Sequence, residues 1–194
     1  MGSMTTAQTA AALATLGWRR PRSTGELAQS VRRFQDLWLL GTPLAVDGTV
    51  GPATSRAIRE SLARRSGGHP TMSPHFSASE LACHCRGAYS ACTLIWTPRH
   101  ALEALERLRS EHYPRGLSLI SACRCLGQNT HVGGAKSSRH MAGDAFDIAP
   151  VVPWRVVAAM GIYGGIGINA NGCARHVDQR SGSPRSPATW RYPG

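Results

Sequence analysis

The stretch Ser138-Arg139-His140-Met141-Ala142-Gly143-Asp144-Ala145-Phe146-Asp147 decides the reading of this chain. His140 and Asp147 stand seven residues apart, which is not the i, i+4 spacing that places two ligands on one helix face. Gly143 marks a bend, and the residues after it alternate. Ala145, Asp147 and Ala149 share one strand face, while Phe146 and Ile148 take the other. An aspartate between apolar neighbours is costly to bury unless it is paired or bound to a metal. Further on, Arg175-His176-Val177-Asp178 reads as a second strand. It projects His176 and Asp178 on one face, with Cα atoms roughly 6.5–7 Å apart. A single strand histidine is more often a hydrogen-bonded structural residue. Two clusters of imidazole and carboxylate together favour a metal site, where catalytic zinc needs about three protein ligands and one open position.

Working outward, Ser77 lies three residues before Glu80, the spacing of a capping box. Pro98 to His112 carries Ala101, Leu102, Leu105 and Leu108 on one face and reads as an amphipathic helix. Leu117 to Ser121, Ala145 to Ala149, Ile166 to Ile168 and Ala174 to Asp178 read as strands, with a short helix from Pro153 to Tyr163. The pattern predicts an α+β domain over residues 76–180, built on a small antiparallel sheet with flanking helices. Residues 181–194 are rich in Pro, Ser and Arg and read as an extended or mobile basic tail. Before this domain, residues 5–66 read as a small three-helix domain. Ala7 to Leu16 stops at Gly17, Val31, Phe34, Leu37 and Trp38 recur at helical spacing, and Pro52 opens a third helix. Residues 67–75 read as the linker.

A hydrophobic fraction of 42% with 17% charged residues fits a globular chain and argues against disorder. No run is long and apolar enough to span a membrane. The formal net charge is +11, and arginine supplies every basic residue but Lys136. The excess falls on both sides of residue 70, so it is a property of the whole chain and favours a polyanionic partner. No basic helix with interleaved aromatics marks a specific nucleic-acid reader. All six cysteines follow residue 80. Cys83, Cys85, Cys92 and Cys125 fit either a structural disulfide staple or a second, structural metal site. The N-terminus shows no secretory signal: Ala10 to Leu16 is apolar but short, with no basic segment before it.

Two family resemblances follow from particular motifs. Val31-Arg32-Arg33-Phe34-Gln35, Val46-Asp47-Gly48 and Gly51-Pro52-Ala53-Thr54 with Ala57 resemble the peptidoglycan-binding three-helix domain over about 40 residues. Cys125-Leu126-Gly127-Gln128-Asn129-Thr130-His131-Val132-Gly133-Gly134-Ala135-Lys136-Ser137, running into Ser138 to Asp147, resembles the zinc D-alanyl-D-alanine carboxypeptidases, phage endolysins among them. That resemblance extends over roughly 100 residues. It implies zinc as cofactor, with His140, Asp147 and His176 as ligands, and Arg124 and Ser138 as substrate-binding residues. Members of the family carry a catalytic carboxylate shortly before the last histidine ligand, where this chain has Cys173 and Ala174. After Glu111 the only carboxylates are Asp144, Asp147 and Asp178. Asp144 sits on an apparent turn and is expected to be solvated. Elimination leaves Asp178 as the catalytic base or, equally, as an orienting partner of a ligand.

The expectation is a monomeric zinc peptidase that binds bacterial peptidoglycan and cuts stem-peptide or cross-link amides, most readily D-alanyl-D-amino acid bonds. It acts at the cell wall, outside the membrane or in the periplasm, with release from the cytoplasm by host lysis as one route. The competing expectation is a zinc-containing wall-binding protein without catalysis.

Overall fold

The computed structural model describes residues 2–66 and 69–192. Its elements run α1 (Thr6–Thr15), α2 (Thr24–Leu37), α3 (Pro52–Ala63), β1 (Arg65–Ser66), β2 (His69–Pro70), α4 (Ala78–Leu81), α5 (Arg99–His112), β3 (Leu119–Ser121), α6 (Leu126–His131), α7 (Arg139–Ala142), β4 (Ala145–Ile148), α8 (Trp154–Ala159), β5 (Gly165–Ile168), β6 (Ala174–Asp178) and β7 (Ala188–Arg191). No helix among the described residues is long and apolar enough to cross a membrane.

Local chemistry sets several of the helix ends. Thr5 and Gln8 form a capping box at α1, and Ser77 and Glu80 form the one at α4. Ser23 caps α2 by accepting from the Glu26 amide at 3.2 Å. Pro52 opens α3, where its missing N–H costs nothing. Gly17 ends α1 in a left-handed conformation, φ +105°, with the Ile95 side chain close beside it.

Gln35 is 1% exposed and organises the turn between α2 and α3. Its amide nitrogen donates to Asp47 Oδ1 at 2.9 Å, the Thr49 carbonyl at 3.0 Å and Thr54 Oγ1 at 3.1 Å, while its oxygen accepts from the Gly48 amide at 2.8 Å. Gln35→Leu strips the partners from these groups, so unfolding in urea should show a loss of about 2–3 kcal/mol. A loss within about 0.5 kcal/mol would mean the turn holds itself.

The apolar stripes of α1, α2 and α3 enter the same core cluster as α5 and the sheet. On α5, Leu102, Leu105 and Leu108 are fully buried, each contributing about 1.5–3 kcal/mol relative to exposure. Polar contacts reinforce this packing. The Arg99 amide donates to Asp36 Oδ2 at 3.0 Å, its guanidinium to the Trp38 carbonyl at 2.6 Å, and the Leu39 amide to the Met72 carbonyl at 3.0 Å. The stretch expected as a linker is therefore built in where it is described: Thr71, Met72 and Ser73 are buried. Residues 67 and 68 of that stretch lie outside the described residues.

The sheet has five strands in the order β3-β4-β6-β5-β7. Four pair antiparallel as expected, but β7 runs parallel to β5, so the sheet is mixed. The reason lies in the connections. β4 and β5 already occupy both edges of β6, so a strand following β6 can only add outside them. One reversal of direction after β6 then delivers it aligned with β5. The stretch read as a tail thus supplies an edge strand.

Candidate metal centre

Register builds the site. Asp147 on β4 is paired directly with His176 on β6, and Ala145 with Asp178. Period-two alternation then sends Phe146 and Val177 into the core and leaves Asp147, His176 and Asp178 together on the opposite face. His140 arrives from α7, a single turn closed by Gly143 at φ +83°.

The three residues converge. His140 Nε2 lies 3.2 Å from Asp147 Oδ1 and 3.2 Å from His176 Nδ1, and His176 Nδ1 lies 2.8 Å from Asp147 Oδ1. All are nearly buried, at 1%, 3% and 4% exposure. His140 Nδ1 donates to the Ala122 carbonyl at 2.7 Å, which leaves Nε2 with its lone pair toward its two neighbours. His176 Nε2 donates to Asp178 Oδ2 at 3.1 Å, which turns Nδ1 to the same point. Two imidazole nitrogens and one carboxylate oxygen at one point, each ring fixed through its other nitrogen, form a donor set that fits zinc with a position left open.

The charges suit that role. Burial favours neutral His140 and outweighs the attraction of Asp147, so its pKa falls and the ring stays unprotonated. Burial opposes the charge on Asp147 too, but hydrogen bonds from His140 and His176 overcome it and hold the carboxyl well below the usual range. His176 is also penalised by burial. Asp147 and Asp178 on its two sides outweigh that and raise its pKa.

Asp178 does not face this point. It is fully buried, with Oδ2 on His176 Nε2 and both oxygens engaged by the Arg180 guanidinium, Nε–Oδ1 at 2.8 Å. Of the two roles open to Asp178, this geometry favours the orienting one, because both of its oxygens are engaged by His176 and Arg180. Asp144 is also not solvated: it is 5% exposed and paired with Arg139 in a two-point ion pair, Nε–Oδ1 at 3.0 Å.

A cleft of about 430 Å³ opens beside the ligands, with His140, His176, Arg124, Ser138, Arg180 and Tyr192 in its walls. Arg124 donates from Nε to Ser121 Oγ at 2.9 Å and grips the other oxygen of Asp147. Ser138 stands at the start of α7, where its side chain makes no capping bond.

The sequence reading missed the aromatic wall. Gly167 lies between His176 and Trp190 in the register. With no side chain there, Trp190 comes within 5.4 Å of the His176 ring and Tyr192 stacks on it at 5.1 Å, 20° from parallel. A Cβ at Gly167 would lie 2.7 Å from Tyr192 Cδ2 and 2.9 Å from His176 Cβ. The alternation Trp190-Arg191-Tyr192 was the available signal for a strand.

Gly143 is equally constrained, because a Cβ there would lie 2.7 Å from Trp96 Cδ1 and from the Trp96 carbonyl oxygen. Gly143→Ala combines this overlap with a left-handed backbone, and a loss of about 2–4 kcal/mol in urea unfolding is expected. An unchanged midpoint would show that α7 shifts freely.

The family model described as Peptidase M15 matches residues 74–178, more than half of the chain, and the chain belongs to that family. No curated protein matches it.

Proposed function

We propose that this member of the Peptidase M15 family, a family of zinc metallopeptidases, hydrolyses amide bonds in the stem peptides or cross-links of bacterial peptidoglycan. D-alanyl-D-amino acid bonds are the preferred target in this reading, which makes the protein a wall-lytic carboxypeptidase or endopeptidase of the endolysin kind. The observation that carries the reading is the meeting of His140 Nε2, Asp147 Oδ1 and His176 Nδ1 within 3.2 Å at the edge of an arginine-walled cleft.

When bound there, zinc supplies Lewis acidity toward a carbonyl and lowers the pKa of a water to about 7. The chain's own groups position and stabilise. Arg124, Arg139 and Arg180 line the cleft and each holds a buried aspartate, so charges balance until a dication is added. The surplus then favours a substrate carboxylate or a developing oxyanion. Tyr192 adds a neutral donor, since burial and the neighbouring Asp147 push its phenol up to about 12. Asp178 acts by orienting His176. A second groove of about 400 Å³, lined by Trp38, Leu44, Arg56 and Glu60 between α2 and α3, is the place we assign to glycan or stem-peptide binding by the N-terminal helices.

One observation favours a wall-binding protein without catalysis. Every carboxylate at the cleft among the described residues already has an arginine partner. The deciding experiment incubates the purified chain with peptidoglycan sacculi, with and without a chelator. New free amines, with product masses assigned by mass spectrometry, should appear, vanish on chelation and return with zinc. Co-sedimentation with sacculi and no new amines would leave binding alone.

A further inference from the structure

Cys83, Cys85, Cys92 and Cys125 place their sulfurs within 4.8 Å of one another, in a second cluster separate from the histidine site. Three come from the loop between α4 and α5 and the fourth from the N-cap of α6. Cys83, Cys85 and Cys92 are buried at 2%, 7% and 2% exposure, with Leu94 and Trp96 packed around them. A zinc ion with four thiolates at about 2.3 Å separates its sulfurs by about 3.8 Å. Four sulfurs mutually close suit that arrangement. Two disulfides instead divide them into two bonded pairs.

Backbone amides converge on the same sulfurs. The Cys125 amide donates to Cys83 Sγ at 3.3 Å and the Gln128 amide to Cys125 Sγ at 3.5 Å. Such N–H donors on sulfur support metal-bound cysteine from outside the ligand set. The loop is bent to achieve this. Among the described residues, Arg86 and Leu94 are the non-glycine positions with positive φ, at 49° and 74°, and both lie in this loop. A cation also stands against it: Arg19 donates to the carbonyls of Gly87, Tyr89 and Cys92, each at 2.7 Å. It offsets part of the net negative charge of a zinc–tetrathiolate group, formed as the four thiols release their protons to solvent.

We propose that Cys83, Cys85, Cys92 and Cys125 bind a second zinc ion in a closed, purely structural site. Its purpose follows from position. Arg124, which grips Asp147, is the residue next to Cys125, and its amide donates to the His140 carbonyl at 3.0 Å. The loop also carries Trp96, whose indole donates to the Met141 carbonyl at 2.9 Å. The tetrathiolate thereby pins the frame on which α7 and Arg124 stand.

The test uses the full chain purified with zinc and without added oxidant. Elemental analysis should give two zinc ions per chain in wild type and one in His140→Ala/Asp147→Ala. In that double variant, titration with a mercurial should release the remaining zinc as four thiols react. Cobalt substitution of the same variant should give intense sulfur-to-cobalt charge-transfer absorption in the near ultraviolet. Because the histidine site is already removed there, the result is independent of peptidase activity. Cys85→Ser/Cys92→Ser should hold one zinc if it folds, and the two spectroscopic readouts on intact cysteines stand if it does not. No metal in His140→Ala/Asp147→Ala, or alkylation under denaturing, non-reducing conditions that misses four of the six cysteines, would overturn the proposal.

Discussion

In the proposed peptidoglycan hydrolysis, His140→Ala and His176→Ala will each cut the rate by on the order of 10³-fold or more, about 4 kcal/mol of transition-state stabilisation. Each removes one of three donors that meet within 3.2 Å. A two-donor remnant holds zinc far less tightly, so the lost activity and the lost zinc should track each other in elemental analysis. Chelated wild type should show the same inactivity and recover with added zinc, whereas the variants should not recover at equal zinc. Activity kept at a tenth of wild type in either variant would place the chemistry elsewhere.

Chelation that empties the histidine site but leaves the closed tetrathiolate site filled should inactivate the protein without unfolding it. Without zinc, the raised pKa of His176 lets a proton on Nδ1 take the metal's place beside Asp147, while Nε2–H stays on Asp178. For a raised histidine, the associated stability is whole below the unfolded value of about 6.5 and is lost as pH rises through the folded pKa. Circular dichroism of the chelated protein should therefore show a melting temperature that declines on the alkaline side of neutrality.

Asp178→Ala will be the most destabilising single change at the site, by about 3–5 kcal/mol. Its carboxylate is fully buried, and its loss leaves both the His176 Nε2–H and the Arg180 guanidinium without their acceptor. Zinc affinity should also fall about 10–100-fold, the usual cost of removing the group that orients a ligand histidine. Burial opposes the Asp178 charge, but Arg180 and His176 outweigh it and hold the carboxyl below the usual range. Its contribution is therefore whole above the unfolded pKa of about 3.9 and is lost as pH falls through the folded value. Asp178→Asn separates orientation from proton transfer. An orienting residue predicts that activity lost in this variant returns with excess zinc. If turnover stays abolished with zinc fully bound and the fold intact, Asp178 is the base after all.

The residue types around His140, Asp147 and His176 were legible because each is chemically out of place: a carboxylate in an apolar strand, an imidazole beside another carboxylate. Alternation alone put His176 and Asp178 on one face, and the capping box at Ser77 and the leucine stripe of α5 were equally local signals. The Asp178 role was not legible. Two residues on one strand face share a side of the sheet, but which imidazole nitrogen meets which carboxylate depends on rotamers set by neighbours. Arg180, which fixes Asp178, follows the strand and folds back onto it. Asp144 was misread for a similar reason, since a turn residue looks solvated until its partner Arg139 is placed.

The β7 pairing lay furthest out of reach, because nothing between Ser181 and Gly194 states which edge is vacant. Sequence by itself determined which side chains could bind a metal and which strand faces would carry them, because alternation and capping are short-range and act within a few residues. Tertiary structure decided which of those groups met and in what register. Those outcomes depend on strand edges already being occupied and on glycines such as Gly167 leaving room, conditions that only distant parts of the chain can impose.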